Sequence, residues 1–268
     1  MTSRYGFKSL VRRRRFQDFH NFALYYGYGE TDKLAGYDVA IVEPAAQTTR
    51  DVKAMRQKGT LVLGYVSVME ASPSTPAWTL LQEEDFLTRL GERIVQAEYG
   101  TTLVDLRSRR WQGALFHRIG QLLLQAGYDG IFLDTIGDVE RADIPLQSSQ
   151  VQAATELVFQ LRETFQEHIF VQNNGLEVLC RETAPYLDGI LWENPPVGLP
   201  ASEAWLERIV QQLQDLRERY GVRMLALFEQ DEKDRLGWAV RRRFADRHRF
   251  AAHFGPRHYV SSVGVHMD

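Results

Sequence analysis

Cysteine is nearly absent: Cys180 stands alone in 268 residues, so no internal disulfide can form and the core must supply the stability. A single buried-type cysteine reads as packing rather than as a nucleophile. No run of residues approaches the roughly 18 apolar positions that a membrane-spanning helix needs. Charge of one sign is lacking too, with 32 basic against 35 acidic residues and a net charge of −3, so nothing argues for a nucleic-acid partner. There is no H-E-x-x-H, no Cys-x-x-Cys and no paired strand histidine for zinc, and no G-x-S-x-G for a serine hydrolase. Neither a G-x-G-x-x-G nor a P-loop follows the first strand, which argues against the alternative of a doubly wound open sheet. The basic N-terminus, with Arg12 to Arg15 in a row, is not followed by an apolar signal-peptide core. The expected location is therefore cytoplasmic, or extracellular if a leader has been removed. The four arginines themselves read as the solvated face of a helix.

What the chain does have is one phrase written three times: YDVAIVEP at 37–44, YDGIFLDT at 128–135 and LDGILWEN at 187–194. Each carries an aspartate, an apolar run and then a second carboxylate five residues on, giving Glu43, Asp134 and Glu193. Short apolar runs rich in Val, Ile and Phe and bounded by turn residues read as buried strands of a parallel sheet. Equal spacing from a matched start gives the three acids one facing at the C-terminal ends of their strands, where parallel α/β folds place their active sites. The Asp-Gly pairs at 129–130 and 188–189 read as turns entering the strands from the opposite face.

In order, strands are expected at 21–29, 37–44, 60–68, 128–135, 168–174, 187–194, 222–230 and 258–263. Helices lie between them: one capped by Thr48 or Thr49 and ended by Gly59, one over 109–127, one near 148–166 with serine caps, one capped by Ser202 and ended by Gly221, and a basic one over 231–253. The segment 69–78 reads as a loop, and 80–100 carries an amphipathic pattern. Eight strands alternating with helices, without linker or low-complexity tract, predict an α/β fold of one domain, a (β/α)8 TIM barrel over 21–268 behind a basic lead-in at 1–20.

Four barrel strands then end in acids, Glu43, Asp134, Glu193 and Glu229. Asp134 and Glu193 stand out because both follow Asp-Gly-Ile and both end even-numbered strands, whose inward residues share layers. Two carboxylates on one cavity suit glycoside hydrolysis, one ionised to attack and one protonated to release the leaving oxygen. Tyr26, Tyr65 and Trp192 lie near strand ends, where a ring could stack on a sugar. A non-catalytic saccharide-binding barrel, or a magnesium-dependent enzyme using Glu43, Asp134 and Glu229, stays open at this point.

The motifs GYDVAIVEP, LVLGYVSVME, VDLRSRRW, GYDGIFLDTIGD, VQNNG and DGILWENP, in this order, resemble glycoside hydrolase family 114, the endo-α-1,4-polygalactosaminidase type. The resemblance covers roughly residues 21–230. It implies a barrel similar to the α-galactosidases, a galactosamine-rich polysaccharide substrate, retention of configuration and no cofactor. It makes Asp134 the nucleophile and Glu193 the acid/base, and lines the sugar site with Tyr65, Glu70, Asp105 and Asn173. The chain departs from the family pattern at Met69, where relatives have glycine, and matches it only in part at Trp192–Pro195.

Overall fold

The computed structural model describes residues 4–229 and 234–264, with side chains from Val11 onward. The outermost residues of the expected lead-in, the junction 230–233 and residues 265–268 lie outside this description. Eight parallel strands follow one another round a nearly closed barrel in sequence order: β1 Phe22–Tyr25, β2 Val39–Val42, β3 Leu61–Ser67, β4 Gly130–Asp134, β5 Ile169–Asn173, β6 Gly189–Glu193, β7 Arg223–Glu229 and β8 Ala251–Gly255. β8 returns beside β1 without a ladder between them; Tyr26 N donates to Tyr259 O across the rim end of this seam at 2.9 Å. A cavity of about 500 Å³ lies along the seam, walled by Phe22, Trp238, His253 and Phe254.

Alternation along the strands divides the core in two. Inward residues such as Leu24, Ile41, Leu63, Phe132, Val171 and Leu227 fill the barrel, while outward neighbours such as Ala40, Val62, Ile131 and Ile190 meet the helices. Phe132 is fully buried in the interior layer, and truncating such a ring to alanine costs about 3–5 kcal/mol.

The α-helices longer than four residues are α1 Arg4–Gln17, α2 Thr49–Gln57, α3 Arg109–Gly120, α4 Gln147–Thr164, the short α5 Leu179–Thr183, α6 Glu203–Tyr220 and α7 Arg235–His248. α2 starts as its sequence dictates, with Thr48 and Asp51 exchanging a capping box. α6 ends at Gly221 in the left-handed conformation, φ +70°. The expected serine caps are absent: Ser148 and Ser149 fall inside the first turn of α4, behind Leu146 at φ +55°, and Ser202 precedes α6 without a side-chain cap bond.

Three expectations are corrected. The eighth strand is Ala251–Gly255, not 258–263, and α7 ends at His248; a left-handed Arg249 breaks the helix before residues that its basic periodicity seemed to include. The amphipathic stretch 80–100 is not helical. It folds into short 3₁₀ turns and a hairpin, Thr88–Arg89 against Glu92–Arg93, around Leu90-Gly91, both at positive φ. It also supplies Val95–Gln96 and, with Thr101–Leu103 and Glu70–Ala71 from the expected loop, a three-stranded antiparallel sheet.

The third correction concerns the opposite end of the barrel. Arg12 and Arg13 are not simply solvated: Arg12 Nε donates to Asp129 Oδ1 at 3.2 Å and Arg13 Nε to Asp188 Oδ1 at 2.6 Å. Asp129 and Asp188 are therefore buried anchors for α1 rather than turn residues. Arg56 reaches Asp129 at 3.0 Å and Arg162 reaches Asp188 at 2.5 Å, while Val62 N and Phe170 N donate to the same Oδ2 atoms. The glycine after Asp188 leaves room here, because a Cβ on Gly189 would lie a tight 3.1 Å from the Phe16 ring that α1 inserts beneath the barrel.

Candidate active site

Asp134, Asn173 and Glu193 are the last residues of β4, β5 and β6, three neighbours in the sheet, and parallel register points their side chains to one spot. Asn173 joins the two acids. Its Nδ2 donates to Asp134 Oδ1 at 2.5 Å and to Glu193 Oε2 at 3.1 Å. Those two oxygens can be no farther apart than the two legs laid end to end. Tyr26 and Tyr65 complete the floor with ring centroids 4.9 Å apart, and the Tyr65 hydroxyl faces Asp134.

Burial raises both acids. For Asp134 this is opposed by hydrogen bonds from Asn173, Thr135 N and Tyr65, all of which favour the carboxylate. For Glu193 burial is joined by the negative charge of Asp134, and the carboxyl is pushed up to about 7. Burial, with the same pair of charges, drives the Tyr26 hydroxyl well above its ordinary value, so it stays protonated.

The backbone turns sharply just beyond each of these strands. Thr135, Asn174 and Asn194 have φ of +57°, +51° and +47°, a region that costs a non-glycine residue of order 1–3 kcal/mol. Their side chains use that position to tie strand ends together. Asn174 Oδ1 accepts from Glu193 N at 3.0 Å, and Asn194 Oδ1 accepts from Glu229 N at 2.8 Å. Thr135 Oγ1 accepts from Val68 N and Met69 N at 3.1 and 2.9 Å. The acids are thus held by a collar of strained residues at the ends of their strands.

Other expected residues divide. Glu70 stands at the edge of the cleft, where its Oε2 accepts from Thr101 Oγ1 at 2.7 Å and its charge reaches Asp134. Glu229 is electrostatically close to Glu193, but its Oε1 accepts from His258 N at 3.1 Å. Glu43 folds back onto Ala45 N at 2.8 Å beside Tyr65. Asp105 is held by Arg107 and by Gln150 Nε2 at 2.9 Å, so its lone pairs serve the loop before α3. Trp192 is corrected outright: it is 3% exposed and packs on Trp205 and Phe244 outside the barrel. Alternation requires this, since Glu193 next to it points inward.

Two residues escaped the sequence reading. Asp138, four residues after Asp134, lies against Glu70; burial and the Glu70 charge push it up to about 8. Tyr259 enters the cleft from the turn after β8, edge-on to Tyr26 at 6.3 Å. The spacing Asp-x-x-x-Asp was visible as a signal for the first, whereas the second was hidden inside a segment read as a strand. Among the described residues no group of three or more His, Cys, Asp or Glu is arranged to hold a metal ion, and no helix is long and apolar enough to cross a membrane.

A barrel whose acids converge at the C-terminal ends of β4 and β6 is the arrangement of a glycoside hydrolase. The model of glycoside-hydrolase family GH114 matches residues 10–195, more than half of the chain, and the protein belongs to that family. Among solved structures, the glycoside hydrolase domain of PelA from Pseudomonas aeruginosa superposes with a TM-score of 0.75 at 21% identity, over 91% of this chain and 97% of that one. Aspergillus fumigatus Ega3, solved in complex with galactosamine, gives 0.73 at 10% identity over 94% and 97%. The α-galactosidase TtGalA from Thermus thermophilus, in complex with stachyose, gives 0.60 at 11% identity over 94% and 66%. No curated protein sequence matches the chain.

Proposed function

We propose that the protein hydrolyses an α-linked, galactosamine-rich polysaccharide with retention of configuration, Asp134 acting as nucleophile and Glu193 as acid/base. The observation that carries this is the Asn173 bridge, which keeps the nearest oxygens of the two acids under about 6 Å apart. Retaining enzymes hold their carboxyls ~5–5.5 Å apart, whereas inverting ones leave ~6.5–9.5 Å for a water. Asp134, with three donors on its carboxylate, attacks the anomeric carbon; Glu193, carrying a proton up to about pH 7, gives it to the departing oxygen. Glu193 then takes a proton from the water that releases the glycosyl group from Asp134.

The amino-sugar part of the reading is supported by charge. Glu70, Asp138 and Glu229 surround the pair, and Arg141, 3.9 Å from Asp138, is the cation that approaches this group among the described residues. A protonated amine is attracted to such a cleft, and an acidic sugar is repelled. The galactosamine bound by Ega3 points the same way. The test is cleavage of α-1,4-linked galactosamine oligomers followed by mass spectrometry. Asp134→Asn and Glu193→Gln should each lower turnover at least about 100-fold; undiminished cleavage by either would end the assignment. Anomeric analysis by NMR of the first product decides retention.

A further inference from the structure

Arg257–Tyr259, the turn that follows β8, is built against its own preferences. His258 and Tyr259 are consecutive left-handed residues, φ +59° and +54°; histidine tolerates this conformation, whereas for the bulky Tyr259 it is an outlier. Several contacts hold the turn in place. His258 N donates to Glu229 Oε1, Tyr259 O accepts from Tyr26 N, and Arg257 reaches Glu98 at 3.4 Å on the opposite wall. Gly255 makes room for the ring, since a Cβ there would meet Tyr259 Cδ1 at 2.6 Å.

What this turn delivers is a phenol 3% exposed, whose hydroxyl lies near Glu193 and Asn194 without completing a well-formed hydrogen bond to either. Buried hydroxyls are nearly always bonded, and one left open beside reacting groups is a place kept for a partner that arrives. Asn173 Oδ1, on the same cleft, is likewise buried and open. Burial and the charges of Glu193 and Glu229 keep the phenol protonated, so it enters the complex as a donor.

We infer that Tyr259 is a substrate-contacting residue whose hydroxyl donates to a sugar hydroxyl on the Glu193 side of the cleft, with Asn173 Oδ1 as a second, accepting contact. This rests on the saccharide reading above, and the experiment separates the two. Tyr259→Phe removes one oxygen and nothing else. Affinity for an α-1,4-linked galactosamine oligomer is measured by calorimetry in Asp134→Asn and in Asp134→Asn/Tyr259→Phe, beside kcat/KM for wild type and Tyr259→Phe and melting temperatures for all four.

The expected result is an affinity and kcat/KM lower by about 10- to 100-fold, with little change in melting temperature because the hydroxyl makes no well-formed hydrogen bond within the fold. Gly255→Ala, which displaces the ring while keeping its hydroxyl, should weaken binding in the same direction. Unchanged affinity in the Tyr259→Phe pair, with wild type active and Asp134→Asn inactive, overturns the role of Tyr259 alone. A melting temperature lowered by several degrees overturns it also, since the hydroxyl would then serve the fold. Absence of any saccharide binding by wild type overturns both readings together.

Discussion

β4 and β6 are each preceded by an acid and end on one, and the two ends have opposite fates. At the N-terminal end Asp129 and Asp188 are each gripped by two arginines and a backbone N–H. At the C-terminal end, five residues later, Asp134 and Glu193 have a shared amide, hydroxyls and each other, and no arginine. The functional group is the same; the company differs. A carboxylate paired with cations is an anchor, fixed in one charge state. One buried among neutral donors and other acids keeps a proton within reach, which is what acid–base chemistry needs.

The contrast can be broken at either end, with opposite readouts. The largest effect belongs to Asp134→Asn, which should abolish turnover by at least about 100-fold while leaving stability equal or higher, since a buried charge is removed. At the other end Asp188→Asn strands Arg162, whose side chain is 11% exposed, and should cost about 3–5 kcal/mol in urea unfolding. Specific activity of the molecules that remain folded should hardly change. If Asp188→Asn proved as stable as wild type, the anchoring role of that end would be wrong.

Protonation sharpens the difference at the catalytic end. Glu193 sits at about 7 against an ordinary 4.5, so the folded chain holds this proton more tightly than the unfolded one. The stability it confers is whole below about 4.5 and is lost as pH rises through 7. Glu193→Gln has no such proton to lose, and its melting temperature should gain on wild type at pH 8 but not at pH 4.5. In wild type, kcat/KM should decline above about pH 7 as the general acid ionises. The smallest effect is expected from Arg56→Gln: the side chain is 40% exposed and Asp129 keeps Arg12, so solvent leaves the pair about 1 kcal/mol or less, read by thermal melting.

Much of this was legible beforehand, and for a physical reason. Buried parallel strands are nearly continuous apolar runs, so the three repeated phrases announced β2, β4 and β6 and carried the spacing of Asp134 and Glu193 with them. Where identity is set by distant partners, the sequence was mute. Arg12 and Arg13 look like a solvated basic run until Asp129 and Asp188 are brought beneath the barrel. RFAAHFG continues the pattern of α7, and only packing against β7 makes Ala251–Gly255 a strand. Trp192 shows the opposite case, because alternation from Glu193 already turned it away from the cleft. Tyr259 could not be found at all without the turn that aims it.

The seam between β1 and β8 gives the barrel a direction of weakness. Asp134, Asn173 and Glu193 stand on the three strands across from it, whereas Tyr26 and Tyr259 follow the two strands that flank it. Amides on the facing edges of Phe22–Tyr25 and Ala251–Gly255 should therefore be among the first strand amides to exchange with deuterium. Breathing there would widen the mouth on the tyrosine side for an incoming chain while the spacing of the reacting acids stays fixed.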